Sequence, residues 1–559
     1  MRKSRKAVAL LAVLSVFTVT RSSAASAQTA ADHSGRFESI LASAYAPDGP
    51  GAAALVARGG EILFLDATGM ADLELGVPLE PDMVFEIGSI TKQFTAAAIM
   101  MLAEEGKLAV GDPITKHLPD YPSYGRGITI EHLLTHTSGI VSYTGIPGYM
   151  ASKVMQDVTP SELIAVFEDL PVEFAPGERW AYNNSGYILL GAIVEAASGM
   201  SYADFVERRI FEPLGMRQAS YGSSSRIIPG RASGYDGGED GVVNQRYLSF
   251  TQPYAAGSLM MTVEDWYRWS RALFGGDVVS AESLERMTTP FVLTNGDTTQ
   301  YGYGLGTGEV RGHRAIRHGG GIFGFATDGM YLPDEDVYVA VFANTTANDV
   351  GPGLVATRLA AAAVGDPYPQ FTVIALPDGV LRRYVGVYRI DDDTERLVTV
   401  EDGALYTSRG GRKTRAYPSS ETQFFYRTSN SHFAFELENG AVKAMLMYQD
   451  DAEQPERAVK VSDTVPTREA VRLDTSVLER YVGVYELQPG FDLTVYLEGD
   501  ALMTRATGQG AVAIHAASET EFYVEEFDAR LTFVVGPDGK ATEVVLHQGG
   551  RDMPAKRKE

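Results

Sequence analysis

Residues 85–92 read Phe-Glu-Ile-Gly-Ser-Ile-Thr-Lys, and the spacing that follows predicts a helix over 89–105, stopped by Gly106. Residues three apart on a helix share a face, so the Lys92 amine can reach the Ser89 hydroxyl. A serine hydroxyl is a weak nucleophile until a base takes its proton. A lysine is that base only where burial and neighbours depress its pKa. The helix N-terminus adds N–H groups that favour a developing negative charge. The bland alternative is an ordinary helix start, which an S-x-x-K pattern alone does not exclude.

The surrounding chain reads as an α+β domain over about 31–366. Ala52 to Ala57 and Ile62 to Leu65 flank Gly59-Gly60 as a hairpin, and Gly329 to Leu332 and Val337 to Asn344 flank Pro333-Asp334 as a second. Between them, Thr159, Pro160 and Glu162 open one helix, and Tyr187 to Ser198 is another, closed by Gly199. Pro352 to Val364 reads as a closing helix, followed by a linker over 367–378.

Two further clusters in this domain can carry chemistry. Tyr182-Asn183-Asn184 sits in the loop before the 187–198 helix. A tyrosine beside a lysine can relay a proton, and an Asn amide can bind a substrate carbonyl and the lysine together; the alternative is a polar turn capping the helix. His318-Gly319-Gly320-Gly321 brings glycines that let a backbone approach a ligand, with a strand-edge N–H as an oxyanion donor; the alternative is a flexible turn. The chain contains no G-x-S-x-G elbow, so the His-Gly-Gly-Gly run does not indicate an α/β-hydrolase.

The C-terminal part is an internal repeat. Leu381-Arg-Arg-Tyr-Val-Gly-Val-Tyr388 recurs as Leu478-Glu-Arg-Tyr-Val-Gly-Val-Tyr485, and Ser420-Glu-Thr-Gln-Phe424 as Ser518-Glu-Thr-Glu-Phe522. Each copy is a series of short alternating runs broken by turn signals such as Asp402-Gly403, Asn439-Gly440 and Asp538-Gly539. Two small antiparallel barrels or sandwiches are expected, over 379–470 and 475–555.

Arg2, Lys3, Arg5 and Lys6, the apolar run Ala7 to Val19 and the small residues Ala25-Ser26-Ala27 give residues 1–27 the pattern of a secretory signal peptide. An uncleaved membrane anchor is the alternative. The reading implies export to the periplasm or the medium, and no membrane contact after cleavage. Cleavage removes five basic residues and no acidic one, taking the net charge from −24 to −29. A field of that sign repels phosphate backbones and argues against nucleic-acid partners. The chain has no cysteine, which excludes disulfides, thiol catalysis and thiolate metal sites. His132 and His136, four apart on an expected helix, lack the glutamate of H-E-x-x-H, and no metal is assigned to them. Trp180 is expected in the core or a pocket wall.

In order and rough spacing, the Ser89/Lys92, Tyr182/Asn184 and His318–Gly321 motifs resemble those of the serine β-lactamase and penicillin-binding-protein superfamily. Ile128-Thr-Ile-Glu-His-Leu-Leu-Thr-His-Thr-Ser-Gly139 and Pro213-Leu-Gly-Met216 support the likeness, which covers about 31–366 and is nearest the class C-type, peptidase S12 group. The resemblance implies a β-lactamase/transpeptidase-like α+β domain with a helical subdomain, working without a cofactor. It implies Ser89 as acylated nucleophile, Lys92 as its base and Tyr182 as proton shuttle. It also implies an oxyanion hole from the Ser89 and Gly321 backbone N–H groups, and substrate contacts at Asn184, His318 and Gly320. True β-lactamases begin the third motif with Lys-Thr-Gly; a His, mostly neutral at pH 7, weakens a carboxylate site there. That departure, with two C-terminal lipocalin-like barrels, favours D-aminopeptidases and related esterases acting on small peptides, amides or esters. A DD-carboxypeptidase or weak β-lactamase is the first alternative, and a non-catalytic binder of cell-wall fragments the second.

Overall fold

The computed structural model describes residues 34–558 apart from 239–240, 393, 411, 451, 453, 466–470, 489–490, 508, 525–528 and 549–550. The expected signal segment 1–27 lies outside the described residues. The chain divides into two compact units between Tyr368 and Pro369.

The first unit is built on a six-stranded antiparallel sheet. Its strands are β1 (Ala52–Arg58), β2 (Glu61–Thr68), β3 (Gly306–Val310), β4 (His313–Ile322), β5 (Phe325–Leu332) and β6 (Val337–Ala343). They lie in the order β3-β4-β5-β6-β1-β2. The two expected hairpins are therefore neighbours, with Ala54 of β1 opposite both Asp66 of β2 and Val341 of β6. The hairpin β3–β4 was not expected: its residues are too rich in glycine and charge to read as strand. The His318–Gly321 run lies within β4, so it is strand and not a flexible turn.

β1 and β6 are apolar at nearly every position because both faces are covered. Ala53, Leu55 and Ala57 pack with Ala340 and Phe342 towards helices α1 (Thr91–Glu104), α2 (Asn184–Ser198) and α3 (Val263–Gly275). Ala52, Ala54 and Val56 pack with Val339 and Val341 against α4 (Pro352–Val364) and the helical residues 34–44. The period-2 pleat assigns alternate side chains to the two cores. Helix α1 is buried almost all round. Trp269 of α3 stacks on Phe94 at 4.1 Å and donates its indole N–H to Gln93 Oε1 at 3.0 Å, which fixes the helix that carries Lys92.

The second unit holds two closed eight-stranded antiparallel barrels, one per repeat, with strands in sequence order. The repeated Tyr-Val-Gly-Val-Tyr now has a physical reason. Tyr384 and Tyr388 are fully buried, and Tyr388 donates to the Tyr384 carbonyl while Tyr384 donates to the Glu421 carbonyl, each at 2.7 Å. Tyr485 repeats the first bond to Tyr481 at 2.7 Å, and Tyr481 donates to the Glu519 carbonyl. At Gly386 a Cβ would lie 2.2 Å from the Ser462 carbonyl oxygen, where the first and last strands of the barrel close.

Candidate active site

Ser89 stands in a single 3-10 turn, Gly88–Ile90, and the α-helix proper begins at Thr91. Gly88 has φ +52°, and a Cβ there would come within 2.9 Å of the Gly321 nitrogen, so the turn is pressed against β4. Thr327 of β5 donates to the Ile87 carbonyl at 2.9 Å and holds the same turn from below. Lys92, one turn on, is completely buried.

The Lys92 Nζ has three oxygen neighbours: Ser89 Oγ at 3.0 Å, Asn184 Oδ1 at 2.9 Å and the Ala256 carbonyl at 2.9 Å. Burial draws its pKa well below the ordinary 10.5. The arrangement accommodates the neutral amine. As a neutral amine Lys92 would donate to the two oxygens that only accept and turn its lone pair to the Ser89 hydroxyl, which would then donate. The face of the Tyr182 ring lies 4.9 Å from Nζ. As a residue Tyr182 is 38% exposed, yet burial of its hydroxyl holds the phenol's pKa above the ordinary value, and a hydrogen bond with Ser89 opposes this only in part.

The Tyr182–Asn184 segment caps the helix, one of the two readings the sequence allowed, and also sets Asn184 beside Lys92. Asn183 is the N-cap of α2: its Oδ1 accepts from the Gly186 N–H at 2.9 Å, and its amide donates to the Ile140 carbonyl. Asn184 is the first helical residue, one turn earlier than the expected start at Tyr187. Its side chain gives its oxygen to Lys92 and one amide hydrogen to Thr144 at 3.1 Å, leaving a second hydrogen for a ligand.

β4 pairs with β3 only as far as Arg317, so residues 318–322 have a sheet partner on one side alone. Their other edge faces the Ser89 turn, which is where backbone donors are available to an oxyanion. Gly320 is required for packing: a Cβ would lie 2.0 Å from the Ile87 carbonyl oxygen and 2.2 Å from Thr327 Oγ1. A Cβ at Gly321 would meet nothing within 4 Å.

His318 was expected to meet substrate, but both ring nitrogens are engaged within the protein. Nδ1 lies 2.6 Å from the Gly319 carbonyl and Nε2 lies 2.7 Å from the Tyr301 hydroxyl. Burial, and secondarily the Lys92 charge, pull its pKa down to about 3, so the ring is neutral. His132 and His136 do not share a helix. The helix ends at Leu134, His132 Nδ1 accepts from the Thr129 N–H as part of the helix cap, and His136 has φ +59°. Buried His136 packs against the rings of Tyr182, Tyr301 and Tyr187 at 4.3, 4.8 and 5.2 Å, while its Nδ1 accepts from the Asn183 N–H. It thus props Tyr182 from behind. Trp180, 43% exposed and 6.1 Å from the Tyr301 ring, lies outside the core. Sequence reading missed Tyr301, Thr144, Ala256 and this role of His136. Only the Thr-His-Thr-Ser-Gly phrase hinted at His136.

Several known proteins are similar to this chain. A penicillin-binding protein of Bacillus subtilis (strain 168) is 32% identical over 72% of this chain and 93% of its own length. A D-aminopeptidase of Gluconobacter oxydans (strain 621H) is 27% identical over 57% of this chain and 60% of its own length. The crystal structure of D-amino acid amidase from Ochrobactrum anthropi SV3, complexed with D-phenylalanine, superposes with a TM-score of 0.51 at 26% identity. It covers 56% of this chain and 92% of that one. Each barrel matches a domain of unknown function (DUF3471), at residues 372–461 and 467–557. The Beta-lactamase family model matches residues 37–363, more than half of the chain, and the chain belongs to the beta-lactamase family of serine hydrolases.

Proposed function

We propose that this protein is an exported hydrolase that forms an acyl-enzyme on Ser89 and cleaves small amides or peptides carrying a D-residue, in the manner of a D-aminopeptidase. The observation that carries the reading is the 3.0 Å contact between Ser89 Oγ and a buried Lys92 whose pKa is depressed. Lys92 Nζ takes the Ser89 proton as Oγ bonds to the substrate carbonyl carbon, and the carbonyl electrons move to oxygen. The Ser89 and Gly321 N–H groups hold that oxyanion. Tyr182 delivers a proton to the leaving amine as the C–N bond breaks and is reprotonated with the proton held on Lys92. Water then attacks the acyl carbon, gives one proton to the Lys92–Tyr182 pair, and the Oγ–acyl bond breaks with that proton returned to Ser89.

The substrate class is supported by the two relatives whose names specify D-amino-acid chemistry. It is also supported by a neutral, internally bonded His318 in place of a carboxylate-binding cation, which disfavours β-lactam turnover. A D-alanine p-nitroanilide, a short-chain p-nitrophenyl ester and a chromogenic β-lactam, each with wild type and Ser89→Ala, test it. Amide turnover lost in Ser89→Ala is expected. Ester turnover alone replaces the reading with an esterase, β-lactam turnover alone with a β-lactamase. Silence on all three, with no labelling of Ser89 by a serine-reactive probe, leaves a binding protein. Export is tested separately by sequencing the N-terminus of the protein from the producing cell, expected to begin at Gln28.

A further inference from the structure

The two barrels share a fold and a register, yet one end of their interiors is filled differently. In the first barrel, Arg396 lies opposite Tyr388, and its guanidinium pairs with Glu456 at 2.9 Å. Beside them the buried Thr407 hydroxyl bonds to the Tyr426 hydroxyl at 2.6 Å. This end keeps a polar cavity of about 310 Å³.

The register identifies the equivalent positions in the second barrel. Leu493 lies opposite Tyr485, where Arg396 stands in the first copy. Thr504 lies opposite Val495 as Thr407 lies opposite Val398. Met553 pairs with Leu546 where Glu456 pairs with Met447. Val524, two residues beyond Phe522, replaces Tyr426, two residues beyond Phe424. The ion pair and the phenol are thus exchanged for leucine, methionine and valine, while the threonine is kept.

Two consequences follow. The cavity grows to about 950 Å³ and is walled by Leu493, Ala506, Val512, Val524, Leu546 and Met553. Thr504, 5% exposed and in the same wall, has a hydroxyl with no hydrogen-bond partner among the described residues. Folded interiors hold few voids larger than a water, and buried hydroxyls are almost always paired. A cavity of this size, with an apolar wall around one unpaired hydroxyl and with Gln509, Gln548, Arg551 and Asp552 also lining it, has the composition of a small-molecule site.

We propose that the second barrel binds a small uncharged apolar molecule carrying one hydrogen-bonding group, which Thr504 engages. The positions that hold Arg396 and Glu456 in the first copy offer a charged occupant no buried counter-charge here, and the charged lining residues Arg551 and Asp552 are exposed to water.

N-phenyl-1-naphthylamine, uncharged, apolar and bearing one N–H, tests this with the full-length protein. Its emission rises on leaving water, so titration gives affinity and number of sites. One saturable site is expected, unchanged in Ser89→Ala. Val524→Tyr restores the first barrel's phenol, fills the cavity and pairs Thr504; it is expected to weaken binding about tenfold or more without lowering Tm. Ala506→Leu, at a position that holds Arg409 in the first copy, narrows the same cavity and serves if Val524→Tyr does not fold. Thr504→Val is expected to weaken binding several-fold with the site number kept. Absence of saturable binding, or affinity unchanged in the filled variants, overturns the proposal; affinity unchanged in Thr504→Val overturns the role given to the hydroxyl.

Discussion

Tyr301 gives its hydroxyl hydrogen to Nε2 of His318 across 2.7 Å, while His318 Nδ1 gives its own to the Gly319 carbonyl at 2.6 Å. The two bonds fix one neutral tautomer, since a backbone carbonyl can only accept. A protonated His318 would force the Tyr301 hydroxyl to turn from donor to acceptor and would place a cation in the same desolvated centre as Lys92.

Acid therefore acts on stability through this pair. His318 is drawn from 6.5 to about 3 and His136 well below 6.5, both chiefly by burial. Between the folded and unfolded values only the unfolded chain binds the proton, so stability is complete above about pH 6.5 and falls as pH drops towards 3. Urea midpoints measured from pH 7.5 to 4 are expected to decline, and His318→Asn to flatten the decline in part, His136 supplying the rest. Midpoints independent of pH over that range would contradict the neutral assignment.

Lys92→Met removes the amine and keeps most of the volume. A loss of about 10²- to 10⁴-fold in kcat is expected, the range of a general base. The stability signature is distinct. Lys92 has a folded pKa below 10.5, so the unfolded chain holds the extra proton between the two values and wild-type stability rises with pH through that window. Lys92→Met is expected to remove that slope, which paired unfolding curves at pH 7 and 10 will read.

Adjacent glycines of β4 are expected to respond oppositely to alanine. Gly320→Ala drives a methyl into the Ile87 carbonyl and Thr327 and separates the strand from the Ser89 turn. A cost of about 1–3 kcal/mol is expected, as for overpacking, together with loss of activity. Gly321→Ala meets open space and is expected to leave the unfolding midpoint unchanged. Equal midpoints for the two variants would refute the contact.

Asn183→Ala removes the α2 cap and the amide bond to the Ile140 carbonyl. Destabilisation of about 1–3 kcal/mol is expected from the cap and the unpaired carbonyl together. Because Tyr182 and Asn184 flank the cap, kcat is expected to fall with KM nearly unchanged. A loss of stability with unaltered kcat would separate the cap from the site.

The sequence made the Ser89–Lys92 pair legible because its spacing is local, and the barrels legible because they repeat. What it hid depends on distant segments meeting. Ala256 and Thr144 reach Lys92 and Asn184 from short helical turns, Tyr254–Gly257 and Tyr143–Gly145, whose composition carries no chemical signal. Tyr301 is one tyrosine among 28 until β4 places His318 beside it. The glycines of β4 read as a turn because the strand they form is specified by the Ile87 carbonyl and Thr327 packed against it, not by side chains of its own. The same limit applied to His136, whose left-handed backbone ends a helix that periodicity alone would continue.

The place of β1 between β2 and β6 governs when this domain can form. Residues 52–58 leave the ribosome early, yet their second partner, residues 337–343, comes nearly at the end of the unit. Until then β1 has one neighbour, and neither apolar layer can close. Contacts of such long sequence separation are slow to establish. Completion of both apolar layers of the first unit is thereby deferred until almost the whole of it has been synthesised.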